Sequence, residues 1–235
     1  MMGEIKVIAF DADDTLWENE IYFKEAEDRF AETLIQWYPK QYSIDELFRT
    51  EMKNLGAYGY GAKSFTLSMI ETLLRLGGDN VTPEMVKTVL NAGDKVITHK
   101  VECLPNVEET LSILCKSFKL VMITKGDLLH QQRKLKESGL SCYFDHIEII
   151  SEKDKNEYQR VINLLGISAA EFIMVGNSLK SDIIPPFELG ATAIYIPHDH
   201  TWQHEHSEEP EMKNGRYYKI NAIKELVNLI HQITH

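Results

Sequence analysis

Asp11-Ala12-Asp13-Asp14-Thr15 places three carboxylates and a hydroxyl directly after the apolar run Ile5 to Phe10. Carboxylates crowded at the end of a buried strand repel one another and favour a bound cation. Side chains 11 and 13 can both reach into a crevice at that strand end, where Mg²⁺ would relieve their repulsion and draw in a phosphoryl group. The first carboxylate could then attack phosphorus, while the second passes protons to and from the leaving oxygen. An acidic turn that only caps the next element would have the same composition.

Three later runs end in groups of the same kind. Ile123-Thr124-Lys125-Gly126-Asp127 offers a hydroxyl, a lysine, flexible backbone and a helix start, which together can hold a phosphate. Ser151-Glu152-Lys153-Asp154-Lys155 carries two lysines, either of which could neutralise charge on a transferring phosphoryl group. Val175-Gly176-Asn177-Ser178-Leu179-Lys180-Ser181-Asp182 delivers polar oxygens, with Asp182 a further metal ligand. Each is weak alone, since βα turns, solvated charge runs and helix caps look alike. Four strand ends carrying what metal-assisted phosphoryl transfer needs are poorly explained by coincidence.

The elements that would position these groups are strands read at Ile5 to Phe10, Leu120 to Ile123, Ile147 to Ile150, Phe172 to Val175 and Ala193 to Ile196. From Leu120 onward they alternate with helical stretches at Leu128 to Ser138, Tyr158 to Leu165 and Ile223 to Ile230. That alternation predicts an α/β fold with a parallel sheet wound on both faces by helices. Between the first two strands lies a long stretch without a convincing strand, read as a helical insert over 17–98, with 1–16 and 99–235 forming the core. Within it Phe23, Ala26, Phe30, Leu34 and Trp37 follow helical spacing, Ser43 and Glu46 have capping-box spacing, and Thr82-Pro83 would start a helix running toward Ile97. Because the insert leaves the end of the first strand, it is expected over the sheet's carboxyl edge, where open α/β sheets take their ligands.

The chain has 235 residues, 26% of them charged, with 25 basic against 36 acidic side chains and a net charge of −11. Such a surface repels a nucleic-acid backbone and an anionic membrane, so neither is expected as a partner. Cys103, Cys115 and Cys142 are an odd set without metal or redox spacing, read as reduced thiols. With no long apolar run and no basic leader, a cytoplasmic location is expected. Gly56-Ala57-Tyr58-Gly59-Tyr60-Gly61 reads as an interhelical turn, and the segment His198 to His206, with four imidazoles, as a surface loop near the site's rim rather than a transition-metal centre. Oligomeric state is left open.

The four motifs together resemble the haloacid dehalogenase superfamily over the whole chain. DADDT matches its DxDxT motif, Thr124 its second motif, a lysine its third, and GNSLKSD its fourth. The resemblance implies a Rossmann-like core with a helical cap inserted after motif one, and a magnesium-dependent phosphatase acting on a small phosphate monoester, of the nucleotide or sugar phosphate class, through an aspartyl phosphate. Asp11 would be the nucleophile and Asp13 the general acid and base. Thr124 and Lys153 would hold phosphate, and Asp182, the Asp11 carboxylate and the Asp13 carbonyl would hold Mg²⁺; Lys125, next to Thr124, is a further candidate for phosphate and Asn177 for the metal. Lys153 is preferred to Lys155 because EKD-x-x-x-Tyr resembles a branch that also carries GNS-x-x-SD. Asn177 departs from the acidic residue that commonly opens motif four. Asp13 speaks against the dehalogenases and phosphonatases of the superfamily, which lack or replace it. A phosphomutase stays possible. A receiver-like signalling module, which has its acidic pair ahead of the acceptor strand, fits less well, and a non-catalytic binder of a phosphorylated ligand has only Asn177 in its favour.

Overall fold

The protein is described here by a computed structural model covering residues 4–205, 207 and 215–234. Its sheet has six parallel strands: β1 (Val7–Phe10), β2 (Lys119–Lys125), β3 (His146–Ile150), β4 (Phe172–Gly176), β5 (Thr192–Tyr195) and β6 (Tyr217–Lys219), in the order β3-β2-β1-β4-β5-β6. Alternate side chains take opposite faces. Ile8, Phe10, Leu120, Met122, Ile173, Val175 and Ile194 pack on one side with Leu111 and Leu114 at helix α5 (Val107–Leu114) and Leu226 and Ile230 of the last helix. Val7, Ala9, Val121, Ile123, Phe172 and Met174 pack on the other with Tyr158, Val161 and Ile162. Both faces are covered, so the central strands are apolar throughout. The carboxyl end of β1 lies where the strand order reverses, the position at which doubly wound sheets bind ligands.

The chain divides into two compact units. The sheet unit comprises the stretch ending at Glu18, then Val101–Lys125 and Gln131 onward; the helical unit comprises Asn19–Lys100 with Gly126–His130. The backbone is sewn together where the helical segment leaves and returns: Glu18 N–H donates to the Glu102 carbonyl at 3.0 Å and Leu104 N–H to the Leu16 carbonyl at 2.9 Å. The helical unit holds α1 (Glu20–Leu34), α2 (Lys40–Tyr58), α3 (Ala62–Gly77) and α4 (Pro83–Thr98) around Phe30, Leu34, Leu47, Phe65, Met69, Leu73, Val89 and Val96. Gly59 and Gly61, both at positive φ, turn the chain from α2 into α3, and a Cβ on Gly61 would lie 3.2 Å from the Asp127 amide nitrogen. That close approach, with the Lys63 ammonium 3.0 Å from both Asp127 oxygens, ties Gly126–His130 to the helices.

The predicted start at Thr82-Pro83 is observed, with Thr82 Oγ1 accepting the Met85 amide at 3.3 Å. Three expectations are corrected. Ser43 and Glu46 do not cap a helix: α2 begins straight after Pro39, whose extended backbone sets the start, and both residues are buried inside it, Glu46 accepting from Arg75. A serine and a glutamate three apart are equally neighbours on one helix face. Trp37 lies beyond the end of α1 and is 39% exposed rather than on its apolar face. Strand β3 is only half-buried, with Ile147 exposed, because it is an edge strand. Strand β6 and helix α5 were not anticipated. Among the described residues no helix is long and apolar enough to cross a membrane, and the three cysteines are unpaired and exposed.

Candidate active site

Strand β1 ends in a tight turn in which the Leu16 amide returns to the Ala12 carbonyl at 2.8 Å and Asp14 takes a left-handed φ of 59°. The turn halts the strand so that Asp11 and Asp13 leave it at the switch point of the sheet. Asp11 is buried at 7% exposure, and its two oxygens have different neighbours. The Lys153 ammonium contacts Oδ1 and also lies 2.7 Å from Asp182 Oδ1, bridging two buried carboxylates. Thr15 Oγ1 donates to Oδ2 at 3.1 Å. Burial and the charge of Asp182 push the Asp11 carboxyl well above its usual range, against the lowering effect of Lys153. Burial works against the lysine's charge, but the two aspartates outweigh it and hold the ammonium firmly protonated. Lys155, the rival motif-three lysine, lies at the exposed start of helix α7 (Lys155–Leu164), 3.8 Å from Glu188.

Asp13 is gripped on both oxygens. Oδ1 accepts from Trp17 Nε1 at 2.7 Å and from the Lys134 ammonium at 2.5 Å, and Oδ2 accepts from Gln131 Nε2 at 2.8 Å. Burial raises this carboxyl, but the Lys134 charge and the three donors outweigh it and leave it below its usual value.

Motif four turns back on itself through one π-helical turn, Leu179–Ile183, capped by Ser178 Oγ accepting the Ser181 amide at 3.0 Å. Gly176 makes this possible: a Cβ there would come 2.4 Å from Asp182 Oδ2, which instead accepts the Ser178 amide at 3.0 Å. The Tyr158 hydroxyl, buried on α7, donates to the Ser181 carbonyl at 3.0 Å and fixes the turn from beneath. Thr124 is buried at the end of β2, its hydroxyl 3.3 Å from the Lys125 carbonyl. Lys125 does not join the Asp11 cluster. Its ammonium lies 2.8 Å from Ser181 Oγ and 2.5 Å from Glu205 Oε1, and Glu205 also accepts from Ser178 and Ser181. Burial opposes it, but Lys125 and the two hydroxyls pull the Glu205 carboxyl down to about 2.

The side-chain amide of Asn177 converges with an Asp11 oxygen and the Asp13 backbone carbonyl. The side-chain amide atom of Asn177 that faces them lies 3.2 Å from Asp11 Oδ2 and from Thr15 Oγ1, and 3.3 Å from the Asp13 carbonyl. With its oxygen turned inward, three acceptors confront one another; with its nitrogen inward, the amide donates to two of them. Turned with its oxygen inward, the amide would complete an all-oxygen set of one carboxylate, one carbonyl and one amide that suits a hard cation such as Mg²⁺. Among the described residues Asp182 is joined to it through Lys153 and Asp11. His198 lies elsewhere on the loop after β5, with Nδ1 3.7 Å from Asp14 and Nε2 3.4 Å from Glu18, so these three offer one ligand atom each within 4.8 Å of one another. His204 Nε2 meets the Lys180 ammonium at 3.0 Å, and His206 lies outside the described residues.

The family model for haloacid dehalogenase-like hydrolases matches residues 5–185, and so takes in every one of these clusters except the loop after β5. The chain belongs to the haloacid dehalogenase-like hydrolases. A crystal structure of a family hydrolase from Xanthomonas campestris aligns with a TM-score of 0.87 and 34% identity, over 98% of this chain and 92% of that one. A glyceraldehyde 3-phosphate phosphatase of Methanocaldococcus jannaschii is 23% identical over 96% of this chain and 97% of its own length. The human N-acylneuraminate-9-phosphatase is 25% identical over 54% of this chain and 52% of its own length. As a haloacid dehalogenase-like hydrolase the chain carries more in its site than its motifs disclose. Trp17, Gln131, Lys134 and Glu205 were not read from the sequence. Gln131 and Lys134, three apart in the helix read from Leu128, share a helix face, and a polar pair on a buried face was the only available signal.

Proposed function

We propose that the protein is a magnesium-dependent phosphatase that hydrolyses a small phosphate monoester through an aspartyl phosphate on Asp11. The observation that carries the reading is the buried Lys153 ammonium spanning Asp11 and Asp182, with a second aspartate, Asp13, held two residues further on. A dehalogenase would have no use for that second carboxylate, since its carbon–halogen bond releases an anion that needs no proton. Names of the similar curated proteins, glyceraldehyde 3-phosphate and N-acylneuraminate-9-phosphatase, favour a sugar phosphate within the nucleotide and sugar phosphate class.

In this mechanism the Asp11 carboxylate attacks phosphorus, and the leaving oxygen takes its proton from Asp13. A cation held beside Asp11 would bring its raised carboxyl down into the ionised form, and the negative charge of the bound phosphate ester would raise the lowered Asp13 carboxyl toward the protonated form these roles need. Asp13 then removes a proton from the water that attacks the phosphorus of the aspartyl phosphate, returning Asp11 to its carboxylate. Lys153 and Thr124 hold the phosphoryl oxygens, with Lys153 supplying a fixed positive charge where negative charge builds. Lys125 acts on phosphate only at a distance, by bracing motifs two and four through Glu205. Asp11, the Asp13 carbonyl, Asn177 and Asp182 would hold Mg²⁺, which when bound supplies charge neutralisation at the phosphoryl group. The helical segment is proposed to set substrate choice, because the sheet's residues account only for phosphate.

A panel of sugar phosphates, nucleotides and aryl phosphates, assayed with Mg²⁺ and with EDTA, tests the reading. Phosphate release from at least one monoester, abolished by EDTA and restored by Mg²⁺, is expected; release from none in the presence of Mg²⁺ would refute it.

Asp13→Asn should cost about a hundredfold or more with an alkyl phosphate and far less with an activated aryl phosphate, whose oxygen departs unprotonated. Measuring the pre-steady-state burst of leaving group with both esters checks this, and equal losses would remove Asp13 as the acid. At Asn177 the expectation runs the other way. Asn177→Asp adds a negative charge 3.2 Å from Asp11 Oδ2, so the Mg²⁺ concentration giving half-maximal rate should fall a few-fold, on the order of 1 kcal/mol, with substrate ranking unchanged. Titrating the rate with Mg²⁺ for both proteins measures the shift.

A further inference from the structure

Asp13 has to do two opposite things, give a proton and then take one, and its carboxyl must keep one position through both. Three side chains from two other parts of the fold converge on it. Trp17 is fully buried, Lys134 is 1% exposed and Gln131 is 3% exposed, while the Asp13 side chain keeps 24% of its surface open. A lysine buried to that degree is costly unless its charge is used. Here it is set 2.5 Å from Asp13 Oδ1, from a residue 121 positions away in sequence.

The two carboxyl oxygens are treated differently. A carboxylate oxygen has two lone-pair sites. Among the described residues, Oδ1 meets both the Trp17 N–H and the Lys134 ammonium, and Oδ2 only the Gln131 amide. The same Gln131 nitrogen lies 2.7 Å from the Lys125 carbonyl, which links the grip on Asp13 to the end of β2.

We propose that Lys134 is a positioning residue for the general acid and base: with Trp17 it occupies Oδ1 of Asp13, with Gln131 it fixes the plane of the carboxyl, and so it assigns Oδ2 as the atom that exchanges the proton. In the first half-reaction the Oδ2–H bond breaks as the leaving oxygen forms its O–H bond. In the second, water's O–H bond breaks as Oδ2–H forms again, so no other proton carrier is needed. Lys134 touches neither phosphorus nor the leaving group. The inference rests on the phosphatase reading and adds to it which atom of Asp13 works and what holds it there.

The test uses the full chain at saturating Mg²⁺ and a graded series of aryl phosphates from p-nitrophenyl to phenyl phosphate. Lys134→Met keeps the stem's bulk and removes the ammonium. The expected result is a loss of kcat/KM, which reports the first half-reaction alone, at least about tenfold larger for phenyl than for p-nitrophenyl phosphate. In the Asp13→Asn background the same substitution should add less than about twofold, because its effect runs through Asp13. Gln131→Leu, close in shape and uncharged, should steepen the series in the same direction and carries the test if Lys134→Met does not fold. Equal losses across the series, or losses that multiply in the double variant, would show a merely structural role and overturn the inference while leaving the phosphatase reading intact. Wild-type protein that releases phosphate from no member of the series or of the wider panel would overturn both.

Discussion

Asp11→Asn is expected to lower turnover by more than about a thousandfold while leaving the fold in place, because an amide cannot displace an alkoxide from phosphorus. The structure adds a second half to this expectation. Burial and the Asp182 charge both work against the ionised form of Asp11, so a neutral side chain of the same shape relieves a strain that catalysis requires. The variant, measured in EDTA, should therefore melt at or above the wild-type temperature, with Lys153 retaining Asp182 as its partner. Initial rates and thermal melts followed by circular dichroism decide both halves. A folded variant that keeps more than about a tenth of wild-type activity would exclude Asp11 as the nucleophile.

Lys153→Met should be damaging in both activity and stability. The ammonium is 1% exposed and lies against two carboxylates that are themselves 9% and 1% exposed. Removing it leaves both without their cation, a change that costs about 3–5 kcal/mol when one partner of a buried ion pair is lost. For a chain of this size each kcal/mol moves the melting temperature by roughly 2–4 °C, so a fall of about 6–20 °C is expected in EDTA. The pH dependence follows from the raised Asp11 carboxyl. A carboxyl that binds its proton more tightly when folded favours the fold at low pH and loses that contribution as pH rises through its folded pKa. Without Lys153 nothing lowers it again, so the deficit against wild type should be larger at pH 8 than at pH 5. Turnover should fall at least about a hundredfold, as when one fixed donor to a developing charge is removed. Melting curves at the two pH values test the stability half, and a deficit that grows toward acid would contradict the placement of the lysine between the two aspartates.

What could be read from the sequence follows the physics of burial. The central strands announce themselves because both faces of the sheet are covered, so Val7 to Phe10 and Phe172 to Val175 are unbroken apolar runs. Strand β6, three residues with a half-exposed pattern at the sheet's edge, has no such signature, and β3 shows how an edge position dilutes it. The clusters around Asp11 come from residues that end strands, and each strand end carries its own local motif. Lys134 carries none. Its helix, Leu128–Ser138, looks solvated in sequence, and the partner that makes its charge useful is far along the chain. Lys125, expected among the phosphate holders, pairs with Glu205 instead, and that pairing depends on a loop whose course no local pattern sets. Lys153 and Lys155 are alike by spacing, and the start of α7 separates them: Asp154 caps the helix, placing Lys153 inward before it and Lys155 outward upon it.

The covalent step is the centre of this account and can be trapped. Asp13→Asn, in which the second half-reaction lacks its base, should accumulate the aspartyl phosphate when mixed with p-nitrophenyl phosphate and Mg²⁺. Borohydride reduces an acyl phosphate to an alcohol, so peptide mass spectrometry after the quench should find homoserine at position 11, and none in protein that also carries Asp11→Asn. Reduction at another carboxylate, or unmodified Asp11 in protein that has released a stoichiometric burst of p-nitrophenol, would contradict the assignment.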